Sequence, residues 1–298
     1  MKRFQAIARK LVIGCCVACM VFSGYHIVAA VVEYNRDRGY YNTLKKTKDE
    51  MKPSVQEVLN PQSSVGTANT QKSTEANTNS GSASATPEQN PQRDTTASTA
   101  DEQNTPLNGQ VATGSLDFGP LKTINTDVAA WLTCSDTIID YPVVQGKDNQ
   151  YYLKHLFDGQ EGKAGTLFID AENKPNFGDQ NTVVFGHHMR DGSMFASLAK
   201  YLNQDYYDHH KTMTLYTPNG DYTIQIFAAY TRDAKEIQHH FDSSEAFMDY
   251  IASARRNSKV TSTVQINAND RMITLCTCAY TFSNARYIVQ GILTPVGL

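Results

Sequence analysis

The chain has 298 residues, and its 27 basic side chains nearly balance 30 acidic ones, leaving a net charge of −3 with 19% charged residues. That balance excludes the basic footprint of a nucleic-acid binder, so no nucleic-acid partner is expected. The length would allow two domains, but composition is uneven and only part of the chain can bury a core.

Residues 1–10 carry Lys2, Arg3, Arg9 and Lys10 with no acid among them, and residues 11–32 contain no charge at all. The uncharged run is long enough to cross a hydrocarbon core as a helix. Arg36, Arg38, Lys45, Lys46 and Lys48 come after it, so basic residues alone nearly cancel. A short tail stays inside easily while a long polar portion is translocated largely regardless of charge. The expectation is a single-pass signal anchor with a cytoplasmic tail (1–10) and the remainder outside the cell. A cleaved signal peptide ending near Val28-Ala29-Ala30 is the alternative. The lipid-attachment pattern VIGC at residues 12–15 is rejected, because almost no apolar segment precedes it.

Residues 33–52 read as a short juxtamembrane helix leaving the membrane surface. Residues 53–114 are Ser, Thr, Asn, Gln, Ala, Gly and Pro with few large apolar side chains, and cannot offset chain entropy by burial. As a flexible linker of this length they would span on the order of 40 to 45 Å, a leash lifting the C-terminal portion of the chain off the membrane. Two NPQ triplets, at residues 60–62 and 90–92, are matched by chance in so biased a segment.

Foldable sequence resumes at residues 115–298. Thr126 or Asp127 looks like a cap for a short helix burying Trp131, the single tryptophan. Residues 138–145 read as a strand that Pro142 confines to an edge, and residues 166–169 as another. Residues 193–202 have helical spacing in Met194, Phe195, Leu198 and Leu202. Two strands flank Pro218-Asn219-Gly220, a hairpin signal. Asp242 with Glu245 predicts a capping box for a helix to Asn257 that faces Phe247, Tyr250, Ile251 and Ala254 inward. Many short strands, strong turns and few helices indicate a closed β-barrel with appended helices, a mainly β fold.

The last two strands frame the chemistry. Residues 271–278 alternate and end on Cys278; after a turn at 279–285, residues 286–293 form a second strand. Antiparallel pairing would bring Arg286 beside the end of the Cys278 strand, a fixed positive charge near a thiol. A third short apolar run, 182–185, is followed by Gly186 and His187. Cys, His and Arg at strand ends are a nucleophile, an acid/base and an anion stabiliser. His188 rivals His187, and Cys276, two residues from Cys278 on one strand, is a neighbour that shares its face.

The six cysteines include Cys15, Cys16 and Cys19 in the apolar run, which leaves Cys134, Cys276 and Cys278 for the folded part. An odd set is no closed disulfide framework. A Cys276 to Cys278 bridge would be strained. The paired histidines His187-His188, His209-His210 and His239-His240 raise a Cys-x-Cys metal site, but no second ligand pair stands at zinc spacing, so neither metal nor cofactor is expected.

The string TLCTC at residues 274–278 resembles the T-L-x-T-C signature of sortases, with Gly186-His187 before it and Arg286 after it at matching distances. The resemblance spans about residues 121–298 and is closest to class B, in IDYPVVQ (139–145), NQYYL (149–153), DGSMF (191–195) and LYTPNG (215–220). The third signature position, often Ser in class B, is Cys276 here. The resemblance implies an eight-stranded β-barrel with a substrate groove. It further implies a membrane-anchored cysteine transpeptidase with Cys278 as nucleophile, His187 as acid/base and Arg286 holding the oxyanion or clamping substrate. The implied partners are a surface-protein sorting signal and a peptidoglycan precursor or cross-bridge amine. Pilin polymerisation, hydrolysis in place of transfer, and a non-enzymatic wall-binding module are the competing readings.

Overall fold

The computed structural model describes residues 2–51, 115–278 and 284–297. The linker and its NPQ triplets, and the turn at 279–283, lie outside the described residues.

Eight strands close a barrel. They are β1 (Val128–Thr133), β2 (Asp140–Val144), β3 (Leu167–Ile169), β4 (Asn181–Phe185), β5 (Thr212–Tyr216), β6 (Tyr222–Asp233), β7 (Met272–Cys278) and β8 (Ala285–Pro295). Around the barrel the order is β1, β2, β3, β4, β7, β8, β6, β5, back to β1. The β2/β3 and β4/β7 pairs are parallel and the rest antiparallel. Closure leaves none of these eight strands at an edge.

Alternation along the strands divides two cores. Ile273 and Leu275 of β7 belong to the larger cluster, with Trp131, Leu132, Leu167 and Val289. Met272 and Cys276 belong to a second cluster with Phe227, Tyr230 and Ile288. Over it lies a helix at Ser244–Asn257, whose Phe247, Tyr250, Ile251 and Ala254 are buried as its spacing predicts. Its cap is Ser243, whose Oγ accepts from the Ala246 amide at 3.1 Å, one residue beyond the capping box expected at Asp242.

Two other expectations are corrected. Trp131 lies in β1, not in a helix, and is fully buried. The cap-like residues serve a turn: the Asp127 amide donates to Asn125 Oδ1, the Asp127 carboxylate accepts from Tyr152, and its carbonyl accepts from Gln145. Pro142 sits in a strand with neighbours on both sides, tolerated because the short ladder to β3 begins only at Val143. The 196–202 stretch is a 3₁₀ helix, and Met194, Phe195 and Leu198 beside and within it are fully buried.

The N-terminal helix α1 (Lys2–Glu50) runs unbroken through the apolar segment. Its apolar part is long enough to cross a membrane, and side chains such as Val21, Phe22, Tyr25 and Val28 are exposed. The stretch beyond it does not simply leave a membrane surface. Asp37, Tyr41, Leu44, Lys48 and Met51 are buried at spacings of three and four, one helical stripe against the barrel. Tyr41 donates to the Gly165 carbonyl at 2.5 Å, the Asp37 carboxylate accepts from the Ala164 amide at 3.1 Å, and Lys48 Nζ reaches Asp140 at 2.7 Å.

Candidate active site

Pairing of the last strands sets the corner of interest. In the β7/β8 ladder Cys278, the final residue of β7, stands opposite Arg286, and Cys276 stands opposite Ile288. One strand further, Arg286 stands opposite Arg232 of β6. On the other side of β7, the parallel β4 pairs Phe185 with Cys276, and the Gly186 amide donates to the Cys276 carbonyl at 3.1 Å. His187 is the next residue, so the backbones of Cys278, Arg286 and His187 meet at one end of three adjacent strands. Cys276 itself is fully buried, in the cluster beneath the covering helix.

Two glycines allow the close packing around His187. A Cβ at Gly186 would overlap the Leu167 and Phe195 side chains, so no larger residue fits there. Gly165 has φ of +58°, and a Cβ on it would stand 2.5 Å from the Tyr152 carbonyl and 3.2 Å from His187 Cδ2. His187 Nε2 lies 2.7 Å from the Leu153 carbonyl. A carbonyl only accepts, so Nε2 carries the proton and Nδ1 keeps the lone pair for exchange with a reacting group. The ring borders a cavity of about 500 Å³ shared with Leu153, Lys154, His155, Lys163 and Glu33. His188 turns elsewhere, its ring 5.6 Å from that of Tyr287.

Arg286 is half-buried, and its Nη1 donates to the Ala285 carbonyl at 3.0 Å, which holds the guanidinium along the strand end. Arg232, its register partner, was not singled out from sequence, because one arginine in a strand carries no motif. Its Nε donates to Glu236 at 2.6 Å, and its guanidinium stacks 5.6 Å from the Tyr250 ring and 5.9 Å from the Tyr230 ring. Among the described residues, buried Nη1 of Arg232 has no hydrogen-bond partner. Burial disfavours its charge, but the Glu236 carboxylate together with Tyr230 and Tyr250 outweighs that, so its pKa lies above the usual arginine value.

A strap leaves β6 from this same end. Residues 234–241 cross to the opposite end of β4, where the Gln238 carbonyl accepts from Asn181 at 2.6 Å and His239 Nε2 meets Asp170 at 3.1 Å. Ile237 and Phe241 pack onto the second cluster beside Phe185. The strap and the covering helix thus bury the outer face of β4 and β7 up to the strand ends where Phe185 and Cys278 lie. Among the described residues, no group of three or more His, Cys, Asp or Glu is placed to hold a metal ion.

The sequence profile of the sortase domain matches residues 132–294, more than half of the chain. The chain belongs to the sortase family. Similarity is to class B. Sortase B of Listeria monocytogenes is 40% identical over 197 residues, covering 65% of this chain and 79% of that protein. Sortase B of Staphylococcus aureus is 33% identical over 183 residues, covering 60% and 75%. The solved Staphylococcus aureus sortase B–substrate complex superposes with a TM-score of 0.58 at 33% identity, covering 60% of this sortase and 85% of that chain. This sortase is therefore a cysteine transpeptidase on an eight-stranded barrel, as its signature string implied.

Proposed function

We propose that Cys278, His187 and Arg286 carry the transpeptidation, with the register of Cys278 against Arg286 as the observation that carries the assignment. Cys278 gives its thiol proton to Nδ1 of His187 as the sulfur attacks the carbonyl carbon of a scissile peptide bond; the C–S bond forms, the C–N bond breaks, and His187 passes that proton to the departing amine. An incoming amine then attacks the thioester and gives a proton to His187, which passes it to the leaving sulfur as the C–S bond breaks and the new C–N bond forms. Arg286, at the end of the neighbouring strand, donates to the oxyanion or to the substrate backbone. Neither metal nor cofactor enters any step.

The substrates of this reading are a surface-protein sorting signal, brought to the end of β4 and β7 at which Cys278 lies, and a peptidoglycan precursor or cross-bridge amine. Staphylococcus aureus sortase B has been solved with a substrate, which supports a peptide groove on the shared fold. The apolar part of α1 anchors the enzyme, with the tail in the cytoplasm and the barrel outside. A sorting-peptide library incubated with the enzyme, with and without added amine, tests this. Transfer products in the presence of amine are expected, and products that are only hydrolysed would make it a plain cysteine peptidase.

A further inference from the structure

Met51 and Asp117, on either side of residues 52–114, are in contact: the amide of Asp117 donates to the carbonyl of Met51 at 3.2 Å. A spacer between a membrane anchor and a separate catalytic body would have its two ends on different bodies. Here both ends are on the barrel, because Asp37, Tyr41, Leu44, Lys48 and Met51 have already docked α1 there. The barrel is therefore joined to the apolar helix through residue 33 and not through the long segment.

The docked turns are also the ones nearest the site. Glu33, the first charged residue after the apolar run, pairs with Lys163 at 2.5 Å and borders the same cavity as His187. Gly165, whose carbonyl accepts from Tyr41, lies against the His187 ring. At about 1.5 Å per residue, Tyr41 is roughly 12 Å beyond Glu33 along the axis, which brackets the height of His187.

From these contacts we infer that α1 is a ruler. It holds the catalytic corner on the order of 1 nm from the bilayer boundary, so this sortase selects membrane-anchored peptides whose scissile bond emerges close to the membrane, and residues 52–114 add no reach. The inference rests on the membrane-anchored transpeptidase reading and specifies which of its substrates can be reached.

The test uses the full chain in proteoliposomes, beside a variant in which residues 54–112 are replaced by a short Gly/Ser link. A fluorophore at Glu161 reports height through energy transfer to headgroup-labelled lipid, independently of activity. Equal, high transfer in both proteins is expected; transfer that is low in the full chain and rises in the shortened one would restore the leash and overturn the ruler. Two membrane-anchored reporters read the consequence. With the scissile bond on a rigid helical spacer about 40 Å above the bilayer, cleavage should fall at least tenfold relative to a bond at the membrane edge. That drop should occur in both proteins and vanish when 20 Gly/Ser residues are inserted between Val32 and Glu33. Equal cleavage of both reporters by the full chain would also overturn it. Cleavage of a soluble peptide is expected to be the same for all three proteins. If none cleaves it, the transpeptidase reading fails, while the energy-transfer result still decides the ruler.

Discussion

Lys48 of the N-terminal helix donates to the same Asp140 oxygen, at 2.7 Å, that accepts from the indole of Trp131 at 2.6 Å. One carboxylate thus ties the helix that leaves the apolar run to the largest side chain of the barrel core. Lys48 is 5% exposed and also lies over the Trp131 ring. Removing the ammonium strands a part-buried carboxylate. Lys48→Met should cost about 2 kcal/mol in chemical denaturation, somewhat below the usual loss for a fully buried pair. The double variant with Asp140→Asn should recover part of it. By the same contacts, a fragment starting at residue 33 should be more stable than one starting at residue 116.

Beneath the covering helix, Gln290 donates to Thr274 and to Tyr250 and accepts from Tyr230, while Thr274 donates to Asn181. Gln290, Thr274 and Asn181 are fully buried. Replacing Gln290 by Leu keeps the volume but leaves several polar groups without partners. The expected loss is about 3 kcal/mol, read as a lowered denaturation midpoint at unchanged slope.

The strap carries a pH dependence. The Asp170 hydrogen bond raises the pKa of His239 against the effect of its partial burial. Burial pushes Asp170 up, but His239, the Glu172 amide and Asn149 together hold it below the usual carboxylate range. A raised histidine stabilises fully below its unfolded value of about 6.5 and loses that contribution as pH rises through the folded value; a depressed carboxylate stabilises above about 4 and loses it as pH falls. The stability advantage over His239→Gln should therefore peak between about pH 4.5 and 6 and shrink toward pH 8. Paired melts across that range measure it, and an advantage that grows toward pH 8 would contradict it.

Gly186→Ala should cripple the enzyme without touching a reacting group, since the added methyl meets Leu167 and Phe195 and must move the His187 backbone. A fall of about 10²-fold in kcat/KM is expected, in keeping with an ångström-scale displacement of a catalytic group. At the next strand end, Arg286→Lys retains charge but loses the planar fork, and should lower kcat/KM by about 10²-fold to 10³-fold.

The strands that carry the site were the most legible part of the chain. β7 is rich in β-branched residues, turn-formers set β8 off from it, and the Pro-Asn-Gly turn announces the β5/β6 hairpin. β1 was misread because its run of apolar residues has no alternation when both faces are buried, and because Asn125 and Asp127 make a turn with the residues that cap helices. The docking stripe of α1 was hidden for a different reason. Two of its members, Asp37 and Lys48, are charged, and a charged residue in a helix is read as solvated until its partner is known. Within the site, the string ending at Cys278, the Gly186-His187 pair and Arg286 were visible as side-chain types at fixed spacings. The Leu153 carbonyl that fixes the imidazole tautomer is a backbone atom, and no side-chain pattern encodes it.

The central claim is that the acyl group is carried on Cys278. Intact-mass analysis of the enzyme quenched during turnover of a cleaved sorting peptide, followed by peptide mapping, locates the adduct. A thioester on Cys278 that disappears when amine is added, and that Cys278→Ala fails to form, is the predicted result; an adduct on Cys276, or an equal adduct in Cys278→Ala, would contradict it.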